Sequence, residues 1–440
     1  MTQGSVNSVR SKIVGLMVGL SVMSYFDRII ISVAGPEIIR EFSISETEMG
    51  AVYSAFLFGY TLTMIPGGRM ADRWGPRLVV TLTGVGAALL TALTALGGAS
   101  AWSGLLGVAG SFILIRFVLG LATGPLYPSC ARLYASWIPL KMRARVHGYV
   151  AGGAGLGGAV SPLLFSGLIA AFGWRVSFLW AAIATAALAL VWLGYVRDTP
   201  SEHPRLGGRA TEPVGGDLAR ESAGDSIAGW GALARSPSLL MLTLCYFCVC
   251  YFEYIFFFWL YYYLGDIRGL GSHETAVATT IVFLSWMMMS PLGGWASDRL
   301  VARYGRKTGR RLIPVACLLL SGAALCLGIS VENPVAGVAL LAFSFGLAAC
   351  SDGPFWAAAI DIGGPHAGAS CGILNTGGNV GGIAPVVTPW IAARSSWSIS
   401  LYLAVAVLYC GALGWFLVDP TKGVGGCRRT TARASSPLSD

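Results

Sequence analysis

The feature that most constrains this chain is the recurrence of long, continuously apolar runs. We read twelve of them, at residues 13–34, 49–67, 77–98, 103–127, 146–171, 175–196, 238–264, 275–296, 312–330, 334–359, 368–392 and 397–418. Each is close to the ~20 residues an α-helix needs to cross a bilayer core at 1.5 Å rise per residue. Within the bilayer every backbone N–H and C=O must be paired inside the protein, which leaves helices or a closed barrel. Barrel strands would be ~10 residues of alternating polarity, and these runs are longer and unbroken. Only 12% of the residues are charged, about half the share of a soluble domain. The expected fold class is an all-α membrane protein with twelve transmembrane helices. The first run is too long for a cleavable signal peptide and leads straight into the second.

The net charge of +9 could suit a nucleic acid, but its placement argues otherwise. Put both termini in the cytoplasm, and Arg28 and Arg116 lie within runs while Arg40, Arg175, Arg268 and Arg394 lie outside the cell. The rest of the 30 Lys and Arg then fall on the cytoplasmic side. This asymmetry is the positive-inside rule. It predicts a multi-pass protein of the inner (plasma) membrane, with lipid rather than nucleic acid as its surroundings, and we expect a monomer. Residues 197–237 break the apolar pattern with Pro, Gly and mixed charge. They read as a cytoplasmic linker between an N-terminal bundle (1–196) and a C-terminal bundle (238–418), with a short amphipathic piece near 227–233. The tail, 419–440, reads as disordered.

Charges inside the runs are the candidate functional groups. Asp27 and Arg28 sit side by side in the first run, at a depth where a charge costs roughly 2.5–3.5 kcal/mol. Neighbours on a helix point about 100° apart, so the two cannot share one face. One can line a central path while the other braces an adjacent helix, or the pair can hold two helices together. Arg116, Gly120, Gly124 and Tyr127 recur at helical spacing on the fourth run. Glycines admit a close backbone, so this stripe predicts a tight groove around Arg116, whose planar fork suits a carboxylate. Arg28 and Arg116 together would form an anion site. An Asp27–Arg116 ion pair is the structural alternative.

Two sequence echoes divide the chain. Gly67-Gly68-Arg69-Met70-Ala71-Asp72-Arg73 returns as Gly293-Gly294-Trp295-Ala296-Ser297-Asp298-Arg299. Gly157-Gly158-Ala159-Val160-Ser161-Pro162 returns as Gly381-Gly382-Ile383-Ala384-Pro385. Two related six-helix bundles with a site between them is the architecture of alternating-access carriers. The stretch Gly68–Arg77, GRMADRWGPR, resembles the loop motif of the major facilitator superfamily. The chain is also similar throughout to that superfamily's anion:cation symporter family, carriers of organic anions including sugar acids. The likeness lies in Tyr25-Phe26-Asp27-Arg28, Arg116-Phe117 to Pro128, Phe172-Gly173-Trp174-Arg175, Asp198-Thr199-Pro200 with His203-Pro204, Trp356 to Asp361, and Gly372 to Pro385.

The resemblance implies a pseudo-symmetric pair of six-helix bundles, a substrate-binding Arg28 and a protonating Asp27. It also implies that Asp72, beside Arg73, meets the cytoplasmic start of the eleventh helix and latches the outward-facing state; Asp298, with Arg299, Arg303 and Arg306–Arg311, would act symmetrically. Many members carry a fourth-helix glutamate as a proton site, and Thr123 stands there in this chain. Glu253 and Asp352, both within apolar runs, are the candidates to replace it; either could equally be paired for structure. Three intramembrane acids (Asp27, Glu253, Asp352) against two arginines favour proton entry with an anion. Tyr25, Tyr127 and Tyr254 are cavity candidates, as are Asn375 and Asn379, one turn apart, whose buried amides must bind substrate or stitch helices. Trp259, Tyr261 and Tyr262 read as an interfacial belt.

The expected function is secondary transport of a small organic carboxylate with protons, alternatively exchange or facilitation, or remotely a non-transporting sensor. No cofactor or metal is expected. Cys245 and Cys248 read as packing residues in an apolar helix. The Gly153–Gly158 and Gly368–Gly372 strings fit dinucleotide and hydrolase motifs, but neither follows a strand, so no enzyme is expected.

Overall fold

The computed structural model describes residues 3–98, 100–138, 140–206, 233, 235–364 and 367–421. The amphipathic piece expected near 227–233, apart from Leu233, and the tail from 422 onward lie outside the described residues. The first six helices are α1 (Gln3–Phe42), α2 (Glu46–Trp74), α3 (Pro76–Thr94), α4 (Ser100–Thr123), α5 (Leu126–Trp137) and α6 (Leu140–Tyr195). After them come α7 (Pro237–Tyr262), α8 (Ser272–Ser330), α9 (Pro334–Cys350) and α10 (Asp352–Gly363). The chain closes with α11 (Ala367–Val380), α12 (Ala384–Ala392) and α13 (Trp397–Gly414).

Two of these helices are too long to cross a membrane once. α6 runs 56 residues and α8 runs 59, each more than ~80 Å at helical rise against a core of ~30 Å. Both break at a glycine in a conformation closed to L side chains: Gly173 has φ 74° and ψ 162°, Gly305 φ 77° and ψ 168°. The reversal between α2 and α3 uses the same device at Gly75 (φ 84°, ψ 141°), with Pro76 starting the next helix. Other crossings are discontinuous: α4 passes into α5 at Gly124–Pro125, α9 into α10 at Ser351, and α11 into α12 through a 3-10 turn at Gly381–Ile383. Nine helical stretches among the described residues are long and apolar enough to cross a membrane; with the breaks in α6 and α8 and the discontinuous α11–α12, they are consistent with the twelve crossings the apolar runs predict. The ends of the helices are capped by short polar residues. Ser45 and Glu48 form a reciprocal capping box on α2, and Asn333 accepts from the amides of Val335 and Ala336 at the start of α9.

The two echoes mark equivalent helix contacts in the two bundles. Gly67 of α2 abuts Pro125 at the α4–α5 break, and Gly293 of α8 abuts the Cys350 carbonyl at the α9–α10 break. Gly157 of α6 lies against the Val22 carbonyl of α1, and Gly381 lies against the backbone of α7 at Phe247 and Tyr251. In each case a side chain would collide with a neighbouring backbone, which is why the repeat is written in glycine. The Cys245 and Cys248 side chains pack in the same fashion against Gly414 and Gly411 of α13.

Between the bundles, α6 packs on α8, α2 on α12, and α1 on α7. We call the face carrying Gly75, Gly305 and residues 197–206 the terminal face. At the opposite face α2 closes on α7 and α12, beside a cavity of about 290 Å³ between α1 and α6 of one bundle and α7 and α8 of the other. Gly50 of α2 lies against the Pro385 carbonyl, Tyr53 stacks on Phe258 at 5.2 Å, and the Tyr262 hydroxyl donates to Glu46 Oε1 at 2.5 Å. Trp259 is fully buried and donates to the Pro385 carbonyl at 2.9 Å. This corrects the expected interfacial belt for Trp259 and Tyr262, which pack between helices at this face instead. α7 is the most enclosed span, 72% of its apolar window being buried, so its aromatics meet protein rather than headgroups.

Candidate functional site

Arg28 projects from α1 into a cage of aromatic rings. Its guanidinium carbon lies 4.7 Å from the Tyr25 ring centre, 5.1 Å from Phe56 and 4.8 Å from Tyr60. Phe56 and Tyr60, one turn apart on α2, present stacked rings. Among the described residues Arg28 has no ion-pair partner, and its Nε is buried without a hydrogen bond. Each cation–π contact offers about 0.5–2 kcal/mol, against several kcal/mol for removing the charge from water. The cage therefore leaves the cation incompletely compensated, and a carboxylate would complete it.

Arg116 sits differently. Its two terminal nitrogens donate to the α1 carbonyls of Asp27 and Arg28, both at 3.3 Å, and its guanidinium lies 4.7 Å from the Phe56 ring centre. The glycine stripe beside it admits α2: a side chain at Gly120 would strike the Phe56 carbonyl, and one at Gly124 the Tyr60 carbonyl. Two sequence expectations are thereby corrected. Arg116 does not open with Arg28 onto one vestibule, because its fork is spent on α1 backbone. Nor does it pair with the Asp27 carboxylate.

Asp27 turns away from the cage, as adjacent helical residues must. Its Oδ2 accepts from Thr185 of α6 at 3.0 Å, and its Oδ1 has no partner. It lines a small cavity of about 20 Å³ inside the N-terminal bundle together with Thr83, Thr123 and Arg28, room for roughly one water. Thr123, at the position of the family glutamate, donates to the Leu119 carbonyl at 2.8 Å.

In the C-terminal bundle Tyr254 donates to Asn379 Oδ1 at 2.6 Å, and Asn379 donates to the Asn375 carbonyl at 2.9 Å. Asn375 reaches Met64 of α2 at 3.4 Å, which carries this ladder across to the other bundle. Tyr127 shares a 3.0 Å hydrogen bond with Ser21 of α1. Glu253 is buried and accepts from the Trp286 indole at 3.3 Å, while Asp352, half-buried, begins α10 with an unpartnered Oδ1. The structure thus gathers Arg28, Tyr25, Tyr254 and the asparagines near the bundle interface, and sets Asp27 and Arg116 behind it. Phe56, Tyr60, Thr185 and Trp286 were missed. The spacing of Phe56 and Tyr60 was a visible signal, but aromatic residues one turn apart are usually core.

The gating candidates pair within their own bundles. Asp72 meets Arg132 of α5 at 3.1 Å; Asp298 meets Arg310 at 2.6 Å, which also reaches Asp361 at 3.2 Å. Arg73 is exposed, and Arg299 lies over Trp295 at 4.0 Å. Among the described residues the Asp72 carboxylate is held by Arg132 and not by the eleventh helix. Ser370, of the hydrolase-like string, donates to the Ala359 carbonyl at 2.7 Å.

Residues 17–384 match the Major Facilitator Superfamily family signature. The chain belongs to the Major Facilitator Superfamily. It is a membrane transporter and not an enzyme. Among similar proteins, the probable sulfoacetate transporter SauU of Cupriavidus necator is 30% identical, covering 93% of this chain and 94% of its own. The D-galactonate transporter of Escherichia coli is 28% identical, over 92% and 94%, and the hexuronate transporter of Bacillus subtilis 28%, over 85% and 86%. In solved structures the fold matches an inward-facing bacterial homologue of the human lysosomal transporter Spinster, with TM-score 0.77 at 16% identity, over 94% and 97%. It also matches a D-xylose–proton symporter, TM-score 0.73 at 15% identity, over 93% and 98%.

Proposed function

We propose that this superfamily member carries a small organic anion, a hexuronate, an aldonate or a similar acid, together with protons. The observation that carries this reading is Arg28: a buried guanidinium held by three rings and matched by no carboxylate. Sulfoacetate, galactonate and hexuronate transporters are among the related proteins, and the acids in those names share a carboxylate. In this reading Arg28 anchors the anion, Tyr25, Tyr127, Tyr254, Asn375 and Asn379 address its polar groups, and Arg116 braces α1 from behind. Asp27 and Glu253, with Asp352 beside it, handle protons, because an anion entering near buried carboxyl groups favours their protonated form. The carrier works as a monomer in the inner membrane, with the terminal face in the cytoplasm. In this reading the contacts of α2 with α7 and α12 at the opposite face support an inward-facing state. The latch formed by Asp72 and Arg73, with Asp298 and Arg299, re-pairs when the bundles rock.

A second reading, anion exchange or facilitation, draws on Thr123, a group that cannot take up a proton in the cavity that Asp27 lines. An imposed proton gradient across proteoliposomes separates the two, since only symport concentrates the anion. The primary test is a thermal-shift screen of sulfoacetate, galactonate and hexuronates on the purified carrier, repeated with Arg28→Ala. At least one acid should stabilise the wild type, with its apparent Kd rising 10-fold or more in the variant, the effect of a charged hydrogen-bonded contact worth ~1.5–3 kcal/mol. An acid that binds both proteins equally removes Arg28 as the anchor.

A further inference from the structure

We propose that Trp286 is a positioning residue that ties the Arg28 cage to proton binding at Glu253 across the bundle interface. The inference rests on the proton-coupled reading above and adds a residue which that reading does not use. Trp286 lies on α8, in the C-terminal bundle. Its indole N–H donates to Glu253 Oε1 on α7 at 3.3 Å, and its ring stacks against Tyr25 of α1, centre to centre 6.2 Å at 26°. Tyr25 in turn carries Arg28 on its face at 4.7 Å. Arg28, Tyr25, Trp286 and Glu253 thus form one contiguous chain that crosses between bundles at the Tyr25–Trp286 stack, beside which Tyr25 also meets Phe257 edge-on at 6.3 Å.

The indole is steadied on its other sides by Phe257, edge-on at 5.6 Å, and by Phe345, stacked at 6.3 Å. Those rings belong to its own bundle and travel with it. Tyr25 does not. When the bundles rock, the Tyr25 contact is the one that must change, and with it the support that aims the N–H at Glu253. An N–H donor favours the ionised carboxylate, so a well-aimed indole weakens proton binding and a released one strengthens it. An anion that draws Arg28 and Tyr25 together thereby alters proton affinity on the far side of the interface. The other titratable groups facing Glu253 are Asp352 of α10, Tyr25 of α1, and Tyr246, Cys250 and Tyr254 of α7 itself. The Trp286 indole is the hydrogen-bond donor found on its carboxylate.

The test is an infrared pH titration of the whole carrier in lipid nanodiscs, without substrate. The protonated-carboxyl C=O band of Glu253 is assigned by its loss in Glu253→Gln. Trp286→Phe keeps the ring and removes the donor, and should move the midpoint of that band up by about one pH unit, the effect of one lost hydrogen bond to a charged group. Trp286→Tyr, which keeps a ring and a hydroxyl donor, should shift it less and guards against a folding defect. Tyr25→Ala should move the midpoint in the same direction and add little to Trp286→Phe. An unchanged midpoint in Trp286→Phe overturns the proposal; so does a Trp286→Phe shift that Tyr25→Ala fails to reproduce, because the link to the cage is then missing. If Glu253→Gln removes no band, the assignment of Glu253 as a proton carrier fails and this proposal with it. The anchoring of an anion by Arg28 is then still judged by the thermal-shift screen.

Discussion

Arg28 and Arg116 are chemically identical and lie over one phenylalanine, yet they occupy different positions energetically. Arg116 spends both terminal nitrogens on α1 carbonyls; Arg28 faces the Tyr25, Phe56 and Tyr60 rings, and its Nε is buried without a partner. Removing Arg116 should therefore act on the fold. Arg116→Met is expected to destabilise the protein by about 3 kcal/mol, through loss of two charged hydrogen bonds that tie α4 to α1. Arg28→Ala should instead spare the melting temperature in the absence of ligand. Denaturation of the two variants in matched detergent checks this, and equal losses would contradict it. The sequence marked both arginines and the impossibility of Asp27 sharing a face with Arg28. It did not reveal which arginine faced the interface, because that depends on where α2 packs. The glycine stripe on α4 was legible as a close approach, but the approaching partner, at Phe56 and Tyr60, was not.

At the scale of elements, the crossings were legible because bilayer thickness sets a length that apolar runs must match. Their interruptions were less so. The breaks at Ser351 and Gly381–Ile383 are invisible to hydropathy, and they place Asp352 at a helix start and the asparagine ladder beside α7. Aromatic residues at the end of α7 looked like an interfacial belt because burial by another bundle cannot be read from one helix. The segment after α6 shows a further element-scale feature. Asp198 accepts the Arg77 amide at 2.7 Å, and Trp137 donates to the Arg197 carbonyl at 2.8 Å. His203 is buried edge-on to Trp137 and Tyr195. Burial, with Arg197 and Arg205 nearby, pushes its imidazole below the usual 6.5. A lowered value means the docked segment favours the neutral ring while the released one takes up a proton more readily. Docking is therefore strongest above pH ~6.5 and weakens as pH falls below it. Hydrogen exchange over residues 197–206 should be faster at pH 5.5 than intrinsic rates predict relative to pH 7.5, and His203→Gln should abolish the difference. Protection that is indifferent to pH in the wild type would contradict this.

At the scale of the molecule, the two bundles meet through glycines, stacked rings and few hydrogen bonds, an interface suited to rocking rather than to permanent union. At the opposite face the bundles meet through Tyr262 with Glu46 and through Trp259, edge-on to Tyr53 at 5.3 Å. The aspartates expected to latch the terminal face are held by arginines of their own bundles. The sequence supplied the repeat but not the state, since one set of residues must serve both. The central claim remains the unmatched guanidinium at the bundle interface. It is tested most directly by determining the structure of the carrier with a stabilising organic acid from the screen. The account predicts the acid's charged group within hydrogen-bond distance of the Arg28 guanidinium, among Tyr25, Tyr60 and Tyr254. An acid seated elsewhere, with the Arg28 cage closed as it is now, would contradict it.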